Sequence, residues 1–510
     1  MPPHPSLIST IRQFLALSPF PAPSSPHIIT QRSSGSLSTR QWQHLPRRWS
    51  SRHLHQTCAR ATFRPVWTER VRVKVPWIEA LRGKREEEAR GKESGGEGAE
   101  KEGEEEVVVE VDLTPKKMGD SYFRTILPLA QDPWLLDTYL NASGHIRLGS
   151  LLMDLDALAG VVGYKHTGDN VTMVTAAVDR IVIENPLKEI CDLELSGQVT
   201  YATGRSSVEV SLQVAKAPAK EGQEVKKKDV LMTCAFTMVS LDPGTKKPVN
   251  VAPLLVETEE ERRLFEKGEQ NYKAKKALRS RSLLQETPND EESDLIHAMW
   301  IRELAYKDPQ NPSIRPANVI PMQDTALRSA QIMQPAYRNR HNFMIFGGFL
   351  LQQTFELAFC CAASFSHSRP TFLSLDPSTF DNPVPVGSVL YLKAVVSYTD
   401  PPLACDDAAI ANTTKCAERK FTKVQVRVDS SVRDISHGAK SPTGEFNYSF
   451  LIERDMQVMP NSYGDFMIWV DARRRAIATD KSLPAWAGRM ADAEKAWENL
   501  GEQVREGVTE

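Results

Sequence analysis

Cysteine is sparse in this sequence, and the cysteines present form no framework. Seven of them are scattered over 510 residues, without the paired spacing of disulfide-rich domains or of zinc sites. Cys360 and Cys361 lie inside an apolar stretch, where a free thiol behaves as a small hydrophobic side chain. The sequence therefore predicts a fold held together by a hydrophobic core in a reducing compartment, with no protein metal site.

Acidic residues and lysine are missing from the first 68 residues. This segment carries eight arginines among many serines, with short apolar groups near its start. An Arg-rich, Ser-rich start without acids is typical of an organelle transit peptide, and the alternative is a basic tail. We therefore expect residues 1–68 to be a transit peptide.

Long apolar runs are also rare. The most apolar one, residues 345–366, has Gln352, Gln353 and Glu356 near its middle, and each of these side chains is costly in lipid. A buried core helix explains the run better than a membrane span does. The net charge of −2 also argues against a general nucleic-acid-binding surface.

Two charge-dense segments divide the chain. Residues 83–110 hold eleven glutamates and little apolar surface, which is typical of a disordered linker. Residues 257–281 place acids first and bases last, as suits a solvated helix and its macrodipole. We expect these regions in order: transit peptide 1–68, linker 69–117, folded unit 118–256, charged helical linker 257–315, folded unit 316–480 and tail 481–510.

The two folded units share an internal repeat. Asp179 is followed by an Asn-Pro pair six residues later and by Tyr201 after twenty-two residues. Asp376 is followed by the same pair and by Tyr398 at the same spacings. In each half a long apolar helical run precedes several strand-like segments. That order predicts an α+β fold, with a sheet wrapped round a helix, in two halves that can pair as a pseudo-twofold dimer.

Candidate chemistry is concentrated in two loop-and-helix motifs. The clearer one is a polar loop with Asn339 and Asn342, followed by Gly347, Gly348 and an apolar helix that carries Glu356. Glycine lets another group approach the backbone closely, and a helix start offers unpaired N–H groups at a positive dipole end. This arrangement can stabilise a carbonyl oxygen that becomes an oxyanion.

A weaker copy of this motif lies upstream. Asn141 is followed by Gly149 and by an apolar helix that carries Asp156. The neighbouring Asp154 lies about 200° round the helix from Asp156 and points elsewhere. Both copies thus combine an asparagine, a glycine at a helix start and an acid on the helix.

These motifs and their repetition resemble the active-site loops and central helices of hot-dog fold acyl-CoA thioesterases. Two copies behind a transit segment resemble the mitochondrial tandem members of that family, over about residues 118–480. The resemblance implies two tandem hot-dog domains that form a double hot-dog in the mitochondrial matrix. It implies an enzyme that hydrolyses fatty acyl-CoA to free fatty acid and CoA without a metal or other cofactor, CoA being part of the substrate. It also implies a homo-oligomer.

By the same resemblance, an asparagine and a helix N–H from one half face a carboxylate from the other. The first such site would combine Asn141 and Gly149 with Glu356. Here Leu148 stands where the family has the first glycine of a pair. Glu356 is also one residue late after its glycine, which rotates it by about 100°.

The second site would combine Asp156 with Asn339 or Asn342 and with the helix start at Gly347 and Gly348. Asp156 has the family's usual register, seven residues after its glycine. The polar loop is one residue longer than usual, so that counting does not separate the two asparagines. The spacings leave open whether both sites work or only one.

Other roles for these residues remain open at the sequence level. Asn141 could cap a turn, and either acid could pair with a cation. Arg338, Arg340, Arg205 and Lys420 are conceivable contacts for the CoA phosphates, with a solvated surface charge as the alternative for each.

Two alternative functions follow from the same fold. An enoyl-CoA hydratase would need a histidine five residues after its aspartate, where this chain has Val161 and Cys361 after its two acids. A non-catalytic subunit that binds acyl-CoA or serves in assembly would use the acids structurally. No Gly-x-Ser-x-Gly elbow indicates a serine hydrolase.

Overall fold

The computed structural model describes residues 112–482 with short gaps. The gaps are residue 143 and the segments 186–188, 219–224, 281–285, 311–313, 340–343, 401–420 and 436–437. The expected transit peptide, the acidic segment 83–110 and residues 483–510 lie outside the described residues.

The first half of the described chain is built around one long helix. Its elements are β1 (Lys116–Lys117), β2 (Phe123–Leu127), α1 (Pro133–Tyr139), α2 (Leu148–Thr167), β3 (Thr172–Val178), β4 (Ile181–Ile183), β5 (Leu193–Ala202), β6 (Ser207–Lys216), β7 (Val230–Leu241) and β8 (Leu254–Leu255). Helix α2 buries Leu152, Leu155 and Leu158, which recur at helical spacing. It ends at Gly168, whose φ of 78° is a left-handed conformation that favours glycine.

Two helices follow the first half in the charge-dense part of the chain. These are α3 (Glu259–Ser280) and α4 (Asp290–Lys307). Helix α4 begins with a capping box, in which Asn289 accepts from the Glu292 N–H and the Glu292 side chain accepts from the Asn289 N–H. Helix α3 lies in the segment whose charge pattern predicts a helix.

The second half repeats the plan of the first. Its elements are β9 (Val319–Pro321), β10 (Leu327–Ile332), α5 (Gly347–Ser366), β11 (Thr371–Leu375), β12 (Ser378–Thr379), β13 (Val389–Asp400), β14 (Thr422–Arg433), β15 (Lys440–Ile452), β16 (Gln457–Met459) and α6 (Tyr463–Ser482). Helix α5 ends at His367, which is left-handed with a φ of 49°. Short 3-10 turns cover Met118–Ser121, Lys227–Asp229, Met322–Thr325 and Pro335–Tyr337.

One large antiparallel sheet runs through both halves. Along its main path the strand order is β10-β13-β14-β15-β11-β4-β7-β6-β5-β2. The halves join where β11 pairs with β4, and β12 pairs with β3, which also pairs with β7. Buried residues alternate with half-buried ones along most of β7, because one face of the strand meets the core.

The two long helices pack against each other inside this sheet. Helices α2 and α5 are in contact, and each also packs on the strands of its own half. The predicted α+β fold, in which each half packs a long helix on antiparallel strands, is confirmed. None of the helices in the described ranges has an apolar stretch long enough to cross a bilayer.

Two further helices cover the outer side of the sheet at equivalent places. Helix α3 packs on β5 and helix α6 on β13. The ring of Tyr201 lies 4.9 Å from that of Phe265, and the ring of Tyr398 lies 5.5 Å from that of Trp469. The charge-dense helix is therefore docked on the first half and does not stand apart in solvent.

Candidate active site

Each of the two long helices begins beside the middle of the other. A Cβ added to Gly149, at the start of α2, would lie 3.2 Å from the Glu356 Oε1 atom of α5. A Cβ added to Gly348, at the start of α5, would lie 3.0 Å from the Asp156 Cβ atom of α2. The helices therefore cross so that each helix start faces an acid from the other half.

Asp156 is held at the start of helix α5 by two hydrogen bonds. Its Oδ2 accepts from the backbone N–H of Gly348 at 2.6 Å, and its Oδ1 accepts from the Thr175 hydroxyl at 2.6 Å. The side chain is buried, with 1% of the residue exposed. Both hydrogen bonds and the positive end of the helix favour the carboxylate form.

Burial has the larger effect on this carboxyl group. Removal from water raises the pKa of Asp156 to about 6, and the hydrogen bonds from Thr175 and Gly348 act in the opposite direction. The group is therefore ionised at neutral pH while remaining far more basic than an ordinary aspartate. Such a carboxylate can accept a proton in a catalytic step.

The glycine pair is required by the closeness of the two helices. A Cβ at Gly347 would lie 3.0 Å from Asp156 Oδ2, and a Cβ at Gly348 would lie 2.7 Å from the Met153 carbonyl oxygen. Since the second contact involves backbone, it cannot be relieved by a side-chain rotation. The glycines allow the amide of α5 to reach the acid.

Asp156 lies on a cavity of about 870 Å³ between the two halves. Thr175, Asn339 and Gly347 line the same cavity. Most of the remaining wall is apolar and comes from both halves: Ala157, Gly160, Val161, Met173, Val174, Met238, Val239, Leu241, Met344, Ile345, Phe346, Leu350, Phe380, Pro383 and Val384. A large apolar cavity with a few convergent polar groups is the usual form of a small-molecule site.

Asn339 presents an amide at this cavity. Its backbone N–H donates to the Met344 carbonyl at 2.8 Å, which closes the loop. Its side-chain oxygen is buried and has no hydrogen-bond partner among the described residues. Asn342, the alternative predicted from the sequence, lies outside the described residues, as does Arg340.

The other predicted pair has a different environment. Glu356 Oε1 lies 2.5 Å from Arg147 Nη2, and the Glu356 side chain is 36% exposed. Asn141 Oδ1 accepts from the His145 backbone N–H at 3.1 Å, within its own loop. In the part of the chain that the structure describes, the lining of the large cavity includes neither Glu356 nor Asn141 nor Gly149.

The register of the repeat shows what replaces the cavity residues in the second half. Asp156 lies seven residues after Gly149, and Phe355 lies seven after Gly348. Thr175 pairs with Met238 across β3 and β7, and Phe372 pairs with Phe450 across β11 and β15. Like Thr175 before Asp179, Phe372 lies four residues before its repeat aspartate. The positions of Asp156, Thr175 and Met238 are thus all phenylalanine in the second half.

These phenylalanines form one packed cluster. The ring of Phe355 lies 5.5 Å from that of Phe372 and 6.2 Å from that of Phe450, and the last two rings lie 6.0 Å apart. Such aromatic pairs contribute packing energy beyond their buried area. In the second half, the region that corresponds to the surroundings of Asp156 is therefore part of the hydrophobic core.

Thr175 is the residue that the sequence reasoning missed. It lies in a segment predicted to be a strand, four residues before the repeat aspartate Asp179. A threonine at a position that faces the central helix could have served as a signal. Its contact with Asp156 depends on how β3 lies against α2, which the spacing within one element does not give.

A second buried acid of α2 points away from the cavity, as its helical position predicts. Asp154 is fully buried and accepts a hydrogen bond from the Tyr139 hydroxyl of α1. Burial raises the pKa of Asp154 to about 7. This pair fixes α1, and the loop that follows it, against the central helix.

Comparison with known proteins identifies the family to which this chain belongs. No protein-family model matches the chain. The chain is 34% identical over 374 residues to the mitochondrial acyl-coenzyme A thioesterase 9 of Homo sapiens, over 71% of this chain and 78% of the relative. It is 33% identical over 385 residues to the mitochondrial acyl-coenzyme A thioesterase 10 of Mus musculus, over 73% and 81%. The chain therefore belongs to the acyl-CoA thioesterase family and is an acyl-CoA thioester hydrolase.

Solved structures give shorter or looser matches. An apo-hexameric acyl-CoA thioesterase is 27% identical and covers 32% of this chain and 96% of its own, with a TM-score of 0.27. A Staphylococcus aureus acyl-CoA hydrolase in complex with butyryl coenzyme A is 26% identical over 32% and 90%, with a TM-score of 0.27. A putative oleoyl thioesterase from Lactobacillus plantarum is 9% identical over 64% and 94%, with a TM-score of 0.34. The family assignment rests on the sequence relatives.

Proposed function

We propose that this enzyme hydrolyses fatty acyl-CoA to a free fatty acid and CoA at the Asp156 cavity, without a metal ion. One observation carries the proposal. A buried carboxylate with a raised pKa, a helix start from the other half and an asparagine whose side-chain oxygen has no partner among the described residues meet on one apolar cavity. These are the groups that thioester hydrolysis needs, together with room for an acyl chain.

In the proposed step, ionised Asp156 accepts a proton from a water molecule. The water oxygen attacks the thioester carbonyl carbon, and negative charge develops on the carbonyl oxygen. The carbon–sulfur bond then breaks, and the CoA thiolate takes up the proton that Asp156 received. The products are a free acid and CoA, so that Asp156 ends the cycle ionised.

Two groups are assigned to the oxyanion. The first N–H groups of a helix have no acceptor within the helix, and Gly347 lines the cavity at the start of α5. Asn339 is the second donor, because rotation of its amide by 180° exchanges the oxygen and the NH2 group. The Gly348 N–H and the Thr175 hydroxyl orient the Asp156 carboxylate.

We assign activity to this site alone. At the other predicted pair, Glu356 is held in an ion pair with Arg147, is partly exposed and is not among the described residues that line the large cavity. The Phe355 cluster occupies the position that corresponds to the cavity. Asn141 and Glu356 are therefore structural in this proposal.

The wider assignments are proposals of the same kind. The two halves, over about residues 118–256 and 316–480, form a tandem double hot-dog, which the shared sheet and the paired central helices support. We also propose that the protein acts in the mitochondrial matrix, because its relatives are named mitochondrial and its acid-free, arginine-rich start is typical of a transit peptide. Assembly into a homo-oligomer is proposed from the resemblance to the tandem family.

The proposal is tested by exchanging each acid for its amide. Asp156→Asn should lower kcat for acyl-CoA hydrolysis by about 10²–10⁴-fold, the range for a lost general base. Glu356→Gln is the matched control, and it should keep kcat within about twofold because a surface ion pair contributes little. Release of free thiol is the measurement, with circular dichroism to check the fold. Full activity in folded Asp156→Asn protein would overturn the proposal.

A further inference from the structure

We infer that the acyl chain of the substrate lies along helix α2 over Gly160, and that Gly160 determines which chain lengths the enzyme accepts. The inference rests on the proposed function, since it places the thioester carbonyl at Asp156. Gly160 lies four residues after Asp156, on the same face of α2 and one turn further along.

The backbone of helix α2 does not require a glycine at position 160. It lies in the interior of α2, where glycine is a poor helix former, and its φ is not in the left-handed region. A Cβ built at Gly160 would meet no heavy atom within 4 Å. At Gly163, by contrast, a Cβ would already lie 3.1 Å from Met173 Cε. Because Gly160 has no side chain, it leaves open space in the cavity that this residue lines.

The wall beyond Asp156 suits a hydrocarbon chain. Val161 and Tyr164 of α2 lie further along the cavity than Asp156, and Met173 and Met238 line it from β3 and β7. Flexible methionine side chains adapt to ligands of varying length. From Asp156 to Lys165, which also lines the cavity, α2 rises by about 13.5 Å. That distance is available to an acyl chain.

The cations around the cavity indicate where the coenzyme lies. The Lys165 ammonium donates to the Tyr122 carbonyl at 2.6 Å, and the Lys246 ammonium donates to the Pro243 carbonyl. Arg338, next to Asn339, has a guanidinium group without a hydrogen bond or ion pair among the described residues. We place the anionic coenzyme at Arg338, beside Asn339, which leaves the α2 side of the cavity for the acyl chain.

The second half shows the same helical position filled. Gly160 lies eleven residues after Gly149, and Phe359 lies eleven after Gly348. The ring of Phe359 lies 6.4 Å from that of Phe355 and 6.2 Å from that of Phe450. A large side chain at this position therefore fits the fold, and it takes up the space that Gly160 leaves empty.

The test is a Gly160→Leu variant assayed against saturated acyl-CoAs from acetyl-CoA to palmitoyl-CoA. The shortest chains that the wild type hydrolyses should keep kcat/KM within about twofold, and the longest should lose about thirtyfold, in the range for misplaced methylenes in an apolar pocket. Leucine favours helix, so the melting temperature should not fall. Gly464→Leu, at an exposed helix position with only Ser462 Oγ near, is the control and should change no chain length.

Two results would overturn the inference. An equal loss at every chain length, with weaker inhibition by free CoA, would mean that the pantetheine arm passes over Gly160. Unchanged kcat/KM at every length would mean that no part of the substrate lies there. Failure of the proposed function is distinguishable, because it appears as full activity in Asp156→Asn protein whatever Gly160→Leu does.

Discussion

At the scale of single residues, the Asp156 carboxyl group is set between two opposed influences. Burial raises its pKa to about 6, while the Thr175 hydroxyl and the Gly348 N–H favour the charged form. Without those hydrogen bonds the carboxyl group would bind its proton more tightly and be a base only at higher pH. In the proposed mechanism, these polar contacts therefore set the pH above which the enzyme works.

This balance predicts the pH dependence of hydrolysis. Because the proposed mechanism requires the ionised Asp156 carboxylate, kcat/KM should rise with pH through an apparent pKa of about 6 and then level off. Thr175→Val should move this rise to higher pH by about one unit, since a hydrogen bond to a charge contributes about 1.5–3 kcal/mol and one pKa unit corresponds to about 1.4 kcal/mol. The measurement is a pH–rate profile of both proteins. Thr233→Val, whose hydroxyl bonds Glu184 instead, is the control and should leave the profile in place.

Part of the candidate site around Asp156 is predictable from residue spacing alone. Asp156, Gly347 and Gly348 are predictable because a helix start and a helical register fix them within one element, whereas spacing left Asn339 and Asn342 as alternatives. Thr175 escaped the sequence analysis because its partner belongs to another element. Phe355 can be seen in the sequence, but its equivalence to Asp156 becomes clear only once the register between the two halves is known.

At the scale of elements, the crossing of α2 and α5 is what brings the acid to the amide. The contact is close because a glycine backbone lies against the backbone of α2 at Met153. Apolar periodicity in the sequence predicts a long helix at both α2 and α5. Periodicity does not predict the crossing of the two helices, because it shows which face of a helix is apolar but not which element packs against that face.

The closeness of this crossing can be tested with one methyl group. Gly348→Ala would place its Cβ 2.7 Å from the Met153 carbonyl oxygen, so the helices must move apart at a cost of about 1–3 kcal/mol in stability. Turnover should fall by about 100-fold, the effect of a 1 Å misplacement in a site. Urea denaturation and thiol release measure the two effects.

The control for this change is Gly160→Ala, the same substitution in open space within a helix. It should raise the free energy of unfolding by about 0.5–1 kcal/mol, because alanine is the better helix former. Equal stability of Gly348→Ala and wild type would show that the two backbones are not in forced contact.

At the scale of the whole molecule, the two halves are alike in plan and different in content. Each has a central helix, a set of strands and an outer helix, and the strands join in one sheet. The repeat spacing predicts this plan from the sequence. The docking of the charge-dense helix α3 is not predictable from its charge pattern, because a solvated helix and a helix docked through a few buried cations have similar charge patterns.

One lysine of helix α3 is buried against two acids of the first half. Lys275 Nζ lies 2.8 Å from Asp179 Oδ2 and 3.6 Å from Glu209 Oε2, and all three side chains are largely buried. Burial and the nearby Asp179 raise the pKa of Glu209 to about 7. The lysine therefore compensates two acids that would otherwise be poorly tolerated when charged.

Removing this cation should destabilise the protein in a pH-dependent way. Lys275→Met leaves the two acids buried and unpaired, which should cost about 3–5 kcal/mol at pH 8. The cost should be smaller at pH 6, because an acid whose folded pKa is raised loses stability as pH rises and regains it on protonation. Urea denaturation at both pH values measures this. Lys273→Met, from an exposed ion pair with Glu269, should cost about 1 kcal/mol or less at either pH. An equal loss for Lys275→Met at both values would contradict the role assigned to the lysine.

The hydrogen bond between Gly348 and Asp156 has a consequence for inheritance as well as for chemistry. It ties the proposed catalytic acid of one half to the backbone of the other half, so that in the proposed mechanism neither half forms this site by itself. A duplicated chain can thus become permanently committed to its double form through a single amide proton.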